Sequence, residues 1–261
     1  MDLGLQGKVA LVTGATRGIG RAIAAALARE GCALAICARS EEEVYGTVSA
    51  LEREHGVAVF GAAIDVADAA ALAAFVDDAA ATLGGLDVAV ANAGGSSGGP
   101  SLAASTTDEW VATYALNAGH AATLFRASAP HLRARGGGAL LVVSSISGSR
   151  PSPRAQYGAA KAAEHALAAS LARELATDGI RVVSLSPGSI LFPGGGWDAT
   201  RERDPERFEA WVARAFPFGR LGTAEEVADV AAFLASPRAS WVSGTDVVVD
   251  GAQNTPSISG Y

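Results

Sequence analysis

Residues 9–20 read VALVTGATRGIG, an apolar run that stops at Thr13 and gives way to three glycines, Gly14, Gly18 and Gly20. Glycine takes positive φ at little steric cost and lets other groups approach its backbone, so the stretch predicts a tight, ligand-facing turn. The apolar residues before it suit a buried strand over Val9–Thr13, and the residues after it a helix over Ile19–Glu30. Backbone N–H groups and the dipole at the start of that helix would stabilise an anion such as a pyrophosphate.

Short apolar runs alternate with Ala-rich helical stretches along the rest of the chain, the pattern of a parallel sheet covered by helices on both faces. Further strands are expected at Ala33–Ala38, Val57–Ala62, Asp87–Ala91, Ala139–Ser144, Val182–Ser186 and Thr245–Val249. Several are apolar throughout instead of alternating, as strands buried on both faces should be. Ser40 with Glu43 and Thr223 with Glu226 match capping boxes, which places helix starts just after Ser40 and Thr223.

The chain has 261 residues, 49% of them hydrophobic, enough for one substantial core. No long polar, Pro-rich or single-charge stretch divides it, so one domain over residues 1–261 is expected. A net charge of −7 with dispersed basic residues argues against a nucleic-acid partner. The absence of a charged-then-apolar leader, and of any apolar run near 18 residues, predicts a soluble cytoplasmic protein with no membrane partner. Cys32 and Cys37 have neither metal-ligand nor disulfide spacing and read as small core residues. The histidines at 55, 120, 131 and 165 share no ligand spacing, so no metal is expected.

Four more motifs follow the glycine stretch: Asn92-Ala93-Gly94, Ser145-x-x-Gly148, Tyr157-x-x-x-Lys161 and Pro187-Gly188. Their order and separations resemble the short-chain dehydrogenase/reductase family, as does the Thr-Gly-x-x-x-Gly-x-Gly spacing at Thr13–Gly20, which differs from GxGxxG. The resemblance runs from about Lys8 to Gly251 and is to members of the 3-oxoacyl-[acyl-carrier-protein] reductase type. It implies an α/β fold: a Rossmann-like, doubly wound, mostly parallel seven-stranded sheet with helices on both faces. It also implies a homo-oligomer, tetramer or dimer.

The resemblance names a catalytic set of Asn117, Ser145, Tyr157 and Lys161. Tyr157 and Lys161 lie four apart in a helix expected over Gln156–Thr177 and so share a face. A free phenol, with pKa about 10, transfers protons poorly near neutrality. A unit charge about 4 Å away at an effective dielectric near 20 supplies about 4 kcal/mol, or roughly three pKa units. The family's serine precedes a glycine by three, which selects Ser145 over Ser144 and Ser147; its hydroxyl would polarise the substrate oxygen. Asn117 would help hold a water that links Lys161 to solvent. Alone, the Tyr-Lys pair is equally a packed ring beside a solvated amine, and Asn117 equally a helix-interior residue bonding local backbone. The implied reaction is hydride transfer between nicotinamide C4 and a carbonyl carbon of a small-molecule ketone or alcohol, with Tyr157 giving the oxygen its proton. A non-catalytic NADP(H)-binding regulator, or an epimerase or dehydratase on the same fold, are the alternatives.

For the cofactor, the resemblance assigns Gly14, Thr16, Arg17, Gly18, Ile19 and Gly20 to the phosphates and Asp65 with Val66 to the adenine. It further assigns Asn92, Ala93 and Gly94, Tyr157 and Lys161, and Pro187, Gly188 and Ile190 around the ribose and nicotinamide. The second strand ends Ala38-Arg39-Ser40, where an acidic residue would select NAD(H). Arg39 can pair with a 2′-phosphate and Arg17 can approach from the glycine loop, so NADP(H) is preferred over NAD(H). The alternative reading has both arginines merely solvated and Asp65 as a helix cap.

Two stretches depart from the family pattern. Phe192 stands where a Thr is common, and Asp250-Gly251-Ala252 lacks a second glycine. Between them, Phe208, Trp211, Val212, Ala215 and Phe216 have amphipathic-helix spacing. With Gly194–Gly196 as hinge they read as a substrate lid around residues 189–218, or as ordinary core or subunit interface. Arg150 and Arg154 read as contacts to an acidic substrate group or as solvated.

Overall fold

All seven expected strands form in the computed structural model, which describes residues 2–253. They are β1 (Val9–Thr13), β2 (Ala33–Ala38), β3 (Val59–Ala63), β4 (Val88–Ala91), β5 (Gly138–Val143), β6 (Ile180–Pro187) and β7 (Asp246–Val249). Between them run α1 (Gly18–Arg29), α2 (Glu41–His55), α3 (Ala69–Leu83), α4 (Thr107–Tyr114), α5 (His120–Ala134), α6 (Ala155–Glu174), α7 (Gly196–Arg203), α8 (Pro205–Ala215) and α9 (Ala224–Ala235). Strand order is β3-β2-β1-β4-β5-β6-β7, and every pairing is parallel. The chain winds outward from β1 to β3, then returns to lay β4 on the other side of β1. That reversal opens a crevice at the carboxyl ends of β1 and β4, where ligands bind in such sheets.

Continuous apolar strands are explained by two cores. Alternate residues such as Val12, Ile36, Val90 and Leu141 pack with Ile23 and Leu27 of α1 and Val227 of α9 on one face. Their neighbours Leu11, Cys37, Ala89 and Leu140 pack with Phe75 of α3 and Leu124 and Phe125 of α5 on the other. Cys32 and Cys37 are both buried and unbonded, and burial pushes each thiol up to about 12. Among the described residues no group of His, Cys, Asp or Glu could hold a metal ion, and no helix is long and apolar enough to cross a membrane.

Local chemistry sets the element ends. Thr223 and Glu226 close a full capping box at α9, and Thr106 with Glu109 closes another at α4 that the sequence reading missed. At α2 the box is half formed: the Ser40 hydroxyl accepts from Glu43 N at 3.3 Å, while the Glu43 carboxylate turns away to Thr16. The expected helix to Thr177 stops at Glu174, followed by a 3-10 turn over Ala176–Asp178 and Gly179 at φ +71°. Beyond β7, the missing glycine leaves a mark: Ala252 adopts φ +62°, the one non-glycine in the left-handed region among the described residues. An L side chain there carries about 1–2 kcal/mol of steric strain. Ala252→Gly should therefore raise unfolding free energy by about 1 kcal/mol in urea denaturation, with no change in m-value.

Candidate active site

The glycine turn sits at the crevice and is held from beneath by one hydroxyl. Thr13 Oγ1, at the end of β1, accepts from the backbone N–H of Asn92 at 3.0 Å and of Ala93 at 3.1 Å, just after β4. The Asn92 amide returns two bonds, to Thr13 O at 2.9 Å and Gly14 O at 3.1 Å. Gly14 and Gly18 take φ +64° and +54°, and a methyl group at Gly20 would collide with the Asn92 amide and the Gly14 carbonyl. All three glycines are thus required by the turn's own geometry. No side chain caps α1, whose preceding residue, Arg17, is extended and exposed, so the first N–H groups of the helix are left to another acceptor. Phe192, the departure noted above, lies over this turn; a Cβ on Gly18 would come 2.7 Å from its ring.

At the end of β2, Arg39 is exposed and Ser40 caps α2. The structure adds an acid: the Glu43 carboxylate accepts from Thr16 Oγ1 at 3.0 Å, beside the glycine turn. Asp65 does not cap a helix. Its carboxylate accepts from Ala67 N at 3.0 Å and shapes the turn around buried Val66, and Asp68 caps α3.

The other motifs meet across the crevice. Ser145 and Tyr157 line one cavity of about 1100 Å³, with Gly188 on the same wall. Ser145 Oγ accepts from Ser147 N at 3.1 Å, whereas Ser144 is buried and donates to Lys161 O at 3.0 Å, so of these two only Ser145 faces the cavity. Lys161 lies one helical turn behind Tyr157, its Nζ 5.7 Å from the ring centroid. Pro187 ends β6, Gly188 N donates to Val249 O at 2.9 Å, and Ile190 bridges Gly222.

Lys161 is not the unopposed charge that the sequence suggested. Its buried Nζ donates to Glu164 Oε1 at 3.1 Å and to Val143 O at 2.9 Å. Burial alone would lower the ammonium's pKa, but the charges of Glu164 and Tyr157 and the Glu164 bond leave it raised. Burial pushes the Glu164 carboxyl up, against the pull of Lys161. Nearby, burial and then the Lys161 charge push His120 down to about 4, so it stays neutral where its Nε2 meets Thr13 Oγ1 at 3.0 Å.

Asn117 lies in a π-helical turn over Ala115–Gly119. Its amide donates to Thr113 O and Gly95 O, both at 2.7 Å, so it bonds local backbone and ties α4–α5 to the loop after β4. It still borders Lys161 through Gly94: a Cβ there would stand 2.7 Å from Asn117 Oδ1 and 3.3 Å from Lys161 Nζ. Buried Gln156 pins the same loop by donating to Ser97 O at 3.0 Å and Gly99 O at 3.1 Å. Glu164 and Gln156 escaped the sequence reading, because a charged or polar residue inside an Ala-rich helix gives no sign of burial.

The residues of the 208–216 stripe build a small core and border the cavity together, with Phe208, Trp211 and Ala215 taking part in both. Phe208, Val212 and Phe216 are buried with Leu221 in a small core of their own. Trp211 stacks on Trp197 with ring centroids 4.6 Å apart, and both indoles line the cavity. Arg150 lines it as well, while Arg154 is exposed at the start of α6, off its wall.

Comparison with known proteins extends the geometry. The family model described as enoyl-(acyl carrier protein) reductase matches residues 14–253. Isoepoxydon dehydrogenase patN of Penicillium expansum is 36% identical over 255 residues, covering 96% of each chain. L-sorbose reductase of Gluconobacter frateurii, solved with NADPH and L-sorbose, has a TM-score of 0.92 at 32% identity, over 98% of this chain and 100% of its own. A 7α-hydroxysteroid dehydrogenase solved with NADH and 7-oxo glycochenodeoxycholic acid has a TM-score of 0.87 at 31% identity, over 96% and 95%.

The buried Lys161–Glu164 pair yields a stability test. Glu164→Leu or Lys161→Met alone strands a buried charge and should each lose about 3–5 kcal/mol in urea denaturation. The double variant Lys161→Met/Glu164→Leu should be more stable than either single one, and simple addition of the two losses would refute the coupling.

Proposed function

This chain belongs to the short-chain dehydrogenase/reductase superfamily, and we propose that it is an NADP(H)-dependent oxidoreductase that interconverts a ketone and a secondary alcohol. One observation carries the reading: Ser145 and Tyr157 share a cavity wall while Lys161 is buried one turn behind the phenol. The residues at the crevice fit a dinucleotide. Gly14 and Gly18 turn the backbone at the uncapped end of α1, which suits an anion, and Gly94 packs closely on Asn117 and Lys161. When bound, the nicotinamide supplies or accepts the hydride.

The protein's own residues do the rest. Ser145 holds the substrate oxygen by a hydrogen bond, and Tyr157 donates its proton to that oxygen in reduction and recovers it in oxidation. Lys161 favours the phenolate through its positive charge, which Glu164 moderates. Asn117 fixes the loop from Gly94 that borders Lys161 and provides the polar path by which protons return from solvent. The described residues act as one domain, with α7–α8 as a lid that turns on Gly194, at φ +71°, and its following glycines. The active form is a homo-oligomer, because the sheet-edge strand β7 and its approach expose Val248 and a fully accessible Trp241.

Cofactor choice rests on Arg39 and Arg17, two exposed guanidinium groups flanking the end of β2 and the glycine turn. They attract a 2′-phosphate, while the Glu43 carboxylate is engaged by Thr16. Arg39→Ala should lower kcat/KM for NADPH about tenfold and leave NADH little changed, measured at a fixed ketone concentration.

The reading as a whole is tested by following NADPH oxidation over a panel of 3-oxoacyl thioesters, cyclic ketones and keto sugars. Net consumption is expected with at least one class, falling at least a hundredfold in Tyr157→Phe while NADPH still binds. Full turnover by that variant would overturn the proton-donor role.

A further inference from the structure

The cavity beside Ser145 and Tyr157 has an uneven charge. Arg203, Arg207 and Arg214, on α7 and α8, line it from one side and Arg150 from the loop between β5 and α6. Glu202 and Glu206 stand one residue before Arg203 and Arg207, about 100° around their helices, and neither they nor Glu209 lines the cavity. Of this segment's arginines Arg203, Arg207 and Arg214 line the cavity, while Arg201 is paired with Asp198 off its wall.

Asp204 is the one carboxylate on the wall among the described residues, and it is occupied in capping α8, where it accepts from Arg207 N at 3.2 Å. None of the four arginines has an ion pair among the described residues, whereas Arg201, Arg220, Arg133 and Arg29 each sit within 2.8 Å of a carboxylate oxygen. In a chain of net charge −7, four unpaired guanidinium groups around one cavity form a local positive field. Between them the Trp197–Trp211 stack offers an apolar platform.

We propose that this cavity takes an amphiphilic carbonyl compound: a ketone at Ser145 and Tyr157, an apolar body on the tryptophan pair, and an anionic carboxylate or phosphate group held by Arg207, Arg214 and their neighbours. The planar guanidinium fork suits either anion. The inference rests on the oxidoreductase reading for the ketone end and on the unpaired arginines alone for the anionic end.

Two matched pairs test it: 9-oxodecanoate against its methyl ester, and S-acetoacetyl-4′-phosphopantetheine against S-acetoacetyl-pantetheine. In at least one pair the anion should have a kcat/KM about tenfold or more above its neutral partner at low salt, the scale of one charge-assisted hydrogen bond. The gap should shrink as salt is added and disappear in Arg207→Gln/Arg214→Gln. Preference for the carboxylate pair or for the phosphate pair identifies the anion. Tyr157-dependent turnover with equal rates within both pairs, or a gap that survives in the double variant, overturns the proposal and leaves the oxidoreductase reading intact.

If neither pair turns over, Trp197 and Trp211 provide a second readout. Titrating decanoate and 4′-phosphopantetheine against intrinsic fluorescence should give saturable quenching that the double variant weakens. That result supports the arginine site while counting against the reaction; no saturable change with either probe overturns the site. Arg150→Gln, on the opposite wall, repeats the measurement should the helix variant lose its fold.

Discussion

Beyond the paired residues of β1 and β4, a single buried hydroxyl ties together the exits of the two strands at the switch point of this sheet. Thr13 Oγ1 receives the N–H groups of Asn92 and Ala93 and meets His120, so the last residue of β1 fixes the chain where it leaves β4. Each of these bonds contributes only about 1 kcal/mol, but leaving the donors unmet would cost about 1–3 kcal/mol apiece. The Asn92 amide then bonds Thr13 and Gly14 carbonyls, so the glycine turn is held by the neighbouring strand's exit loop. Gly20 follows from this: only a residue without Cβ fits against that amide. The crevice at the switch point is rigid because its two lips are bonded to each other.

The second organising feature is a buried charge that is paired. Lys161 and Glu164 lie inside α6 and under β5, with the lysine also bonded to Val143 O. Desolvating two charges is expensive, and the attraction between them at 3.1 Å offsets much of it. The pairing explains how an ammonium can remain protonated when almost no water reaches it. It also moderates the field felt at Tyr157, since a dipole falls off faster with distance than a lone charge.

Beyond the sheet, residues 191–221 build a wall of their own. Phe208, Val212, Phe216 and Leu221 form a core separate from the two that flank the sheet. Phe192 anchors this wall to the core on the α1 side of the sheet, and Leu191 N donates to Gly222 O at 2.9 Å across its base. A small apolar core keeps α7 and α8 together while residues of the same two helices border the cavity beside Ser145 and Tyr157.

The strands, their parallel order and the glycine turn were legible in the sequence, because a strand buried on both faces must be apolar at every position and a turn at positive φ favours glycine. Strand β1 and strand β2 fall on their expected residues, and the structure puts Ser145 and Tyr157 on one cavity with Lys161 5.7 Å from the Tyr157 ring. What the sequence could not decide was which charges meet. Glu43 looked like half of a capping box and instead reaches Thr16; Glu164, unmarked in the sequence, is the partner of Lys161; Ala252, which stands where the family has a second glycine, sits at φ +62°. Nor did the stripe at 208–216 reveal that the arginines beside it line the cavity. Periodicity records how each element buries its own faces, whereas ion pairing and cavity shape depend on the distances between elements, and those are set only when the helices pack.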